Sequence, residues 1–366
     1  MSAPMRDPAS AFAATYVEAR VKFLAAARAR GAAVESLVHP AARGADGEEL
    51  AIDVARCGET DAPALLVLTS AMHGAEGFCG SGCQVAWLDD DGCANAAGEA
   101  GVAVLLVHAV NPRGFSVLSR TNEDNVDLNR NFRDYTRPIA RNDAYAAVHE
   151  LLVPPAWPPS RENEAKLAAY AREHGERGLQ TAITSGQCDR PDGLFYGGRA
   201  PAWSNTTLRS ILRRHGAHAR RIAWIDYHTG LGPCGHGEKI YMGDDEPVAI
   251  ARTRSFYGAD VTSYYDGSST SAPLSGVCYR AALDECPHAE LTAIALEYGT
   301  VDLTTVVGAL RGDPWLRNHA DADAATRAAI KRAVRDAFYV DRADWKAMVW
   351  GQARAAIGSA IRGLCP

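Results

Sequence analysis

The amino-acid sequence predicts an α/β fold in which a mixed, mostly parallel central β-sheet is flanked by helices. Four apolar runs of strand length are each followed by a polar motif, and they cover residues 64–68, 102–107, 221–225 and 291–296. Segments with the apolar spacing of amphipathic helices lie before, between and after these runs. The chain has 366 residues, of which 47% are hydrophobic, so it can bury one large core.

The N-terminal part predicts a helix, a hairpin and a second helix. Interleaved Ala, Leu and Arg predict a helix over residues 10–31, and residues 36–54 indicate a β-hairpin whose turn is the cluster 44–47. After the first apolar run, residues 76–88 are predicted to form a helix that packs on the sheet. Residues 89–101 are predicted to be a polar connection.

The middle of the chain contains a segment that the motifs do not explain, at about residues 133–219. Within it, residues 162–174 are a strong candidate for a helix. Residues 194–198 contain glycines that permit close approach, so this stretch is interpreted as a wall of a substrate pocket. The alternative is an ordinary loop that packs Phe195 and Trp203 into the core.

The chain is expected to form one domain over residues 1–366. Its motifs lie within residues 60–300, the segment at about 133–219 is an insertion, and C-terminal helices cover about residues 303–361. Alternating apolar and charged residues from 320 to 361 indicate these closing helices.

Composition excludes several classes of protein. The net charge is −6 and Lys and Arg are spread along the chain, so no basic stripe for nucleic acid is present. Residues 1–8 are polar, the following stretch lacks the apolar core of a signal peptide, and no run of about 18 apolar residues occurs. The sequence therefore predicts a cytoplasmic protein that binds neither nucleic acid nor membrane.

The nine cysteines form no CxxC pair. Cys79 and Cys83 lie one helical turn apart on the predicted helix 76–88. They are interpreted as buried, reduced thiols, with a surface redox pair as the alternative.

Polar side chains at the end of the first predicted strand suggest a metal site. His73 and Glu76 follow residues 64–68 and lie three positions apart, so both can turn toward one point. An imidazole nitrogen and a carboxylate oxygen suit Zn²⁺. The other strands also end in polar residues. In an open α/β sheet, the loops beyond neighbouring strands share one crevice, so Arg120, Asn129 and Arg130 are expected to reach a ligand near His73.

The third and fourth strands deliver His228 and Glu297 to the same edge. The order of HxxE, NPxGF, an arginine, DLNRNF, a strand-end His and a final strand-end Glu resembles the zinc carboxypeptidase superfamily, over about residues 60–300. The stretch 186–205, with GQ, DGLFYGG and WSN, is similar to a bacterial branch of uncharacterised carboxypeptidase-like proteins. The aspartoacylase-like branch shares HxxE and DLNR but normally ends in a β-rich domain, unlike this chain.

The resemblance implies a carboxypeptidase-like (phosphorylase/hydrolase-like) fold with one Zn²⁺ per chain, held by His73, Glu76 and His228. A fourth position would stay open for water or substrate, and zinc in such a site lowers the pKa of its water to about 7. By the same resemblance, Glu297 is the general base. Arg120 stabilises the oxyanion, with Arg113 as the less favoured substitute.

The resemblance also assigns the substrate-binding residues. Asn129 and Arg130 match the pair that grips the terminal carboxylate of the substrate. Asp127 is expected to accept a hydrogen bond from a zinc-bound histidine, with His73 as the favoured partner. Tyr264 or Tyr265, in a polar loop placed where carboxypeptidases carry a mobile covering segment, is expected to donate to the substrate, and the sequence does not choose between them.

Each of these residues also has a structural interpretation. Taken alone, His228 is more typical of a hydrogen-bonded structural histidine. A strand-end surface charge is the alternative for Glu297, and a structural ion-pair partner is the less favoured alternative for Arg130. His108 lies inside an apolar strand and is interpreted as a core or pocket-wall residue rather than a fourth ligand. His236, on a flexible loop, is interpreted as a chance neighbour of the site.

The sequence thus predicts a zinc-dependent hydrolase of an amide bond next to a free carboxylate. Carboxypeptidase-like cleavage of small peptides is the first choice, and deacylation of N-acyl amino acids is the main alternative. An ester or lactam substrate and a non-catalytic zinc-binding scaffold are further alternatives. Side-chain specificity is left open among Ser263, Ser268, Thr270 and Leu274, and the oligomeric state is left open as well.

Overall fold

The computed structural model describes residues 7–365, in which seven strands form one mixed sheet. The strands are β1 (Ala33–Arg43), β2 (Glu49–Cys57), β3 (Ala64–Thr69), β4 (Val102–His108), β5 (Arg221–Cys234), β6 (Gly237–Tyr241) and β7 (Glu290–Gly299). Their order across the sheet is β1-β2-β4-β3-β5-β7-β6. The four central strands β4, β3, β5 and β7 are parallel, and β1, β2 and β6 are antiparallel to their neighbours. The prediction of a mixed sheet with a parallel centre is confirmed.

Helices connect and cover the strands. They are α1 (Tyr16–Ala29), α2 (Gly77–Asp89), α3 (Asp91–Glu99), α4 (Pro112–Val117), α5 (Asp143–Leu152), α6 (Arg161–His174), α7 (Glu176–Thr184), α8 (Trp203–His215), α9 (Pro247–Tyr257), α10 (Tyr279–Glu285), α11 (Leu303–Asn318), α12 (Ala324–Phe338) and α13 (Ala343–Leu364). The prediction of a polar connection over residues 89–101 is wrong, because α3 lies there, capped by the side chain of Asp90. Most of the polar segment 1–8 lies outside the described residues.

The sheet buries both of its faces, as parallel sheets do. On β3, Leu66 and Leu68 join a core formed with α1, α2 and α13, while Leu65 and Val67 join a second core with α8 and α10. This alternation follows from the two-residue period of a strand. Both faces of the central strands are therefore covered by packed side chains, and a functional site can form only at the ends of these strands.

A third core lies beyond the carboxyl ends of the strands. It combines residues of α5, α6 and α7, from the insertion, with residues of α11 and α12, from the C-terminal part. The insertion therefore packs on the C-terminal helices, next to the edge of the sheet that carries the polar motifs.

None of the helices in residues 7–365 combines the length and apolar character that a membrane-spanning helix needs. All nine cysteines are free, and Cys79 and Cys83 are buried on α2.

Candidate active site

Two neighbouring strands bring three possible metal ligands together. His73 follows the end of β3, Glu76 ends a short 3-10 helix (Gly74–Glu76) that runs into α2, and His228 lies on β5. One ligand atom from each of these buried side chains lies within 4.8 Å of the other two. A Cβ atom on Gly74 would lie 2.1 Å from the backbone of Gly114, so glycine is required here for the close approach of the 3-10 helix to α4.

The two imidazole rings have the same orientation relative to Glu76. Nδ1 of His73 lies 2.9 Å from Oε1 of Glu76, and Nδ1 of His228 lies 2.9 Å from Oε2. On the far side of the rings, Nε2 of His73 lies 3.2 Å from Oδ1 of Asp127, and Nε2 of His228 lies 2.7 Å from Oδ2 of Asp226. Both Nδ1 atoms are thus directed to one point, with a carboxylate behind each ring.

Asp226 is a site residue that sequence reasoning missed. It lies two positions before His228 on β5, and residues i and i+2 of a strand share a face, so the signal was present in the sequence. Burial opposes the charged form of His228, but Asp226 and then Glu76 outweigh it and raise the pKa of this imidazole well above its usual value. Burial likewise raises the pKa of Glu76, but the two histidines lower it below the usual range.

The three side chains fit a divalent metal ion. Two imidazole nitrogens and one carboxylate oxygen are a donor set typical of catalytic zinc sites, which leave a coordination position open. Each histidine also has the outer carboxylate partner that metal-bound histidines usually have. Among residues 7–365, one group of His, Cys, Asp and Glu side chains is close enough together to hold a metal ion, and it consists of His73, Glu76 and His228.

Glu297 lies beside the three possible metal ligands. It is paired in register with His228 on the adjacent strand β7, and its Oε1 accepts a hydrogen bond from the N–H of Leu231 at 3.1 Å. Glu297 is only 9% exposed. Burial, together with the negative charge of Glu76, raises the pKa of Glu297 to about 8. The strand-end surface charge weighed for Glu297 is excluded by this burial.

Arg120 contacts the same cluster. Its Nη1 donates to Oε1 of Glu76 at 3.1 Å and its Nε donates to Oδ2 of Asp127 at 3.0 Å. Its guanidinium lies over the ring of Phe195, 4.8 Å from the centroid. Arg113, the less favoured candidate, does not line the cavity at the site.

Arg130 is buried in an unusual way for an arginine. It is 2% exposed, and its Nε and Nη2 donate to the carbonyl of Thr184 while its Nη1 donates to the carbonyl of Asn129. Within residues 7–365 it forms no salt bridge, and two of its five N–H groups have no hydrogen-bond acceptor. Burial lowers the pKa of Arg130 to about 10. The structural ion pair considered for this residue is therefore absent from the described part of the chain.

Asn129 lies between Arg130 and the possible metal ligand His228. Its Oδ1 accepts from the N–H of Cys278 at 3.0 Å, and its Nδ2 lies 3.3 Å from Nε2 of His228. These contacts fix the orientation of the amide.

One cavity of about 730 Å³ connects these groups. It is lined by His73, Glu76, Arg120, Asn129, Arg130, His228 and Glu297. One part of it, the tyrosine pocket, is lined by Ile240, Met242, Tyr264, Leu274, Val277, Tyr279 and Ala295. A second part, the helical arm, is lined by Leu167 and Ala171 of α6, Leu179 of α7, Val306, Val307 and Leu310 of α11, and Ala333 of α12.

The candidates that the sequence left open differ in whether they line the cavity. Leu274 lines it, whereas Ser263, Ser268 and Thr270 do not. Tyr264 lines it too, whereas Tyr265 is 39% exposed and donates to the carbonyl of residue 243.

The remaining candidates lie in different environments. Leu194 and Phe195 line the cavity, while Trp203 packs on the second core. His108 is a core residue, stacked on a phenylalanine of α1, and burial lowers its pKa to about 3. His236 is exposed and does not line the cavity.

Comparison with known proteins identifies the family. A family model described as "Protein of unknown function (DUF2817)" matches residues 12–352, so the chain belongs to this family. A comparison with curated protein sequences gave no match.

Solved structures identify the fold. Bovine thrombin-activatable fibrinolysis inhibitor, in complex with tick carboxypeptidase inhibitor, is similar over 96% of this chain and 97% of that chain, with 10% identity and a TM-score of 0.50. Carboxypeptidase A from Helicoverpa armigera is 14% identical over 94% of this chain and 74% of that chain, with a TM-score of 0.43. Metallo-carboxypeptidase from Burkholderia cenocepacia is 11% identical over 94% of this chain and 68% of that chain, with a TM-score of 0.46. The carboxypeptidase-like fold expected from the motif order is confirmed by the first of these.

Proposed function

We propose that this member of the DUF2817 family is a zinc-dependent hydrolase that cleaves an amide bond next to a free carboxylate. The observation that carries the proposal is the composition of one cavity. It holds three possible metal ligands, a buried carboxylate with a raised pKa, and a buried guanidinium that has no carboxylate partner in residues 7–365.

The substrate's carboxylate would bind at Arg130. A buried cation with two free N–H groups is matched by a planar anion that accepts two hydrogen bonds. Asn129 would add one donor through Nδ2, and Tyr264 lines the same cavity. This arrangement would place the neighbouring amide carbonyl close to His73, Glu76 and His228.

The residues around the metal ligands would carry out the hydrolysis. A bound zinc would supply a water of lowered pKa and would polarise the scissile carbonyl. Glu297 would take a proton from the water and pass it to the nitrogen of the leaving amine. The water oxygen forms the new bond to the acyl carbon as the C–N bond breaks, so the products are a carboxylic acid and an amino acid.

Arg120 would stabilise the charge that develops on the carbonyl oxygen. Its guanidinium already lies next to Glu76 and is held in place by Asp127 and the ring of Phe195. One well-placed donor of this kind typically lowers the activation free energy by about 3 kcal/mol.

Two substrate classes contain such a bond, namely small peptides and N-acyl amino acids. A cytoplasmic location, which stays a prediction, would give access to both. The proposal is tested by measuring turnover of a panel of dipeptides and N-acetyl amino acids by the zinc-loaded protein. Release of the C-terminal amino acid is expected, and a protein that binds zinc but cleaves no member of the panel would instead be a non-catalytic scaffold.

A further inference from the structure

The helical arm extends the cavity between parts of the chain that lie far apart in the sequence. Its walls come from α6 and α7 of the insertion and from α11 and α12 of the C-terminal part. It begins next to the metal ligands, because a Cβ atom on Gly230, two residues after His228, would lie 2.9 Å from Phe338 and 3.8 Å from Val306. Both of those side chains line the cavity.

Two charged groups of the arm, on α11 and α6, pair with each other. Arg311 pairs with Glu164 at 2.8 Å and also donates to the carbonyls of Leu151 and Leu152, so its charge is already satisfied. The side chain of Glu164 is half exposed, which marks the Glu164 end of the arm as open to solvent. Between this opening and Gly230, the walls are mainly aliphatic.

Apart from the first turns of α7 and α11, the walls of the arm also lack backbone partners for a ligand. All four walls are helices, whose internal N–H and C=O groups are already bonded to each other. A peptide lying in the arm would leave its own amides unpaired, which is costly away from water. A hydrocarbon chain has no such groups and gains free energy from burial in this environment.

We propose that the helical arm binds the acyl chain of an N-acyl amino acid, so the substrates are amino acids that carry an apolar acyl group of medium length. This inference rests on the proposed function, because Arg130 fixes the carboxylate and the metal ligands fix the amide. The acyl group then lies next to Gly230, where the arm begins. Deacylation, rather than removal of a C-terminal residue from a peptide, is the reaction that uses the whole cavity.

Gly308 provides a way to block the arm. It lies on α11 and lines the cavity, and a Cβ atom added there meets no atom within 4 Å. The Cβ atom of a leucine at this position therefore has room, and the rest of the side chain would occupy space in the arm. Gly351, on α13, is a matched control, because it is also helical and free of neighbours, but it is exposed and does not line the cavity. Replacing either glycine improves helix propensity by a similar amount.

The first measurement is the hydrolysis of N-acetyl-, N-hexanoyl- and N-decanoyl-phenylalanine. Each methylene that enters the arm is expected to raise kcat/KM about fourfold until the arm is full. Gly308→Leu is expected to lower the ratio of decanoyl to acetyl kcat/KM at least about tenfold, because the introduced side chain occupies the space of several methylenes. Gly351→Leu keeps the wild-type ratio. An equal kcat/KM for all three acyl groups in the wild type overturns the acyl-chain proposal.

The second measurement is binding, which does not depend on turnover. The affinity of the zinc-loaded Glu297→Gln protein for the same three compounds is measured by calorimetry, with and without Gly308→Leu. Affinity that rises with chain length, and that loses this rise in the double variant, supports the arm. Affinity that is independent of chain length overturns the acyl-chain proposal, even if N-acetyl amino acids are cleaved and the proposed function stands. Conversely, chain-dependent binding without any hydrolysis by the wild type supports the arm and rejects the proposed function.

Discussion

Oδ2 of Asp226 lies 2.7 Å from Nε2 of His228, two residues further along the same strand. The contact turns Nδ1 of the imidazole toward Glu76, and the register between β5 and β7 places Glu297 beside it. Strand β5 therefore supplies both a possible metal ligand and the group that orients it, so the orientation of the ring depends on the rigidity of a central strand rather than on a loop.

Replacement of Asp226 is expected to weaken metal binding. Asp226→Asn removes the negative charge behind His228, and loss of such an outer partner typically costs about 10- to 100-fold in metal affinity. The measurement is zinc competition with a chromophoric chelator. Asp260→Asn, at an exposed position, is the control, and an unchanged affinity in Asp226→Asn would mean that the contact has no role in metal binding.

The dependence of stability on pH is expected to change sign when the metal binds. In the metal-free protein, the raised pKa of His228 contributes stability that is fully present below about pH 6.5 and is lost as the pH rises through the folded-state pKa. In the metal-bound protein the ring has to be neutral, so stability rises with pH over the same range.

Urea unfolding with a chelator and with zinc, between about pH 6 and about pH 9, tests this expectation. Asp226→Asn should flatten the metal-free curve, because it removes the carboxylate that raises the pKa most. The same direction of change in both states would contradict the assignment of His228 as a ligand.

Glu297→Gln is expected to lower kcat by about 10²- to 10⁴-fold while zinc content stays the same, because the amide cannot accept the proton. The amide keeps the size of the carboxylate, so the fold is retained. Glu290→Gln, on the same strand but exposed, is the matched control. Full activity of Glu297→Gln on a substrate of the wild type would show that another group is the base.

Arg130 is expected to set the preference for a free carboxylate. The wild type should cleave an acid substrate at least about tenfold better than the matching amide, since hydrogen bonds to charged groups contribute about 1.5–3 kcal/mol each. In Arg130→Lys this preference should shrink, because a lysine cannot offer the forked pair of donors.

The ratio of kcat/KM for acid and amide measures this preference in each protein. Using a ratio cancels any loss of active protein that the buried substitution causes. Arg137→Lys, whose side chain is 83% exposed, is the control. An unchanged ratio in Arg130→Lys would place the carboxylate elsewhere in the cavity.

The sequence predicted the features that depend on local pattern. Strand ends carry His73, His228 and Glu297 to one edge because parallel strands share a direction, and this follows from apolar runs alone. Helix α3 was missed because its composition, rich in Gly and polar residues, resembles that of a loop. Asp226 was missed although its spacing from His228 contained the signal.

The helical arm was not predictable from the sequence in this way. Its walls α6, α7, α11 and α12 meet only in the folded chain, and the sequence pattern of each helix indicates burial without identifying the helix it packs on. Empty space between helices depends on how their side chains interlock, so it becomes visible only in three dimensions.

Glu76 and His228 meet in space although 152 residues separate them in the chain. During synthesis, a nascent chain that still lacks β5 offers an ion only His73 and Glu76, a weak pair. The complete set of donors exists only after the insertion has emerged from the ribosome and β5 has joined β3 in the sheet. Binding of an ion by all three donors would therefore have to follow the pairing of β3 with β5, after most of the chain has been made.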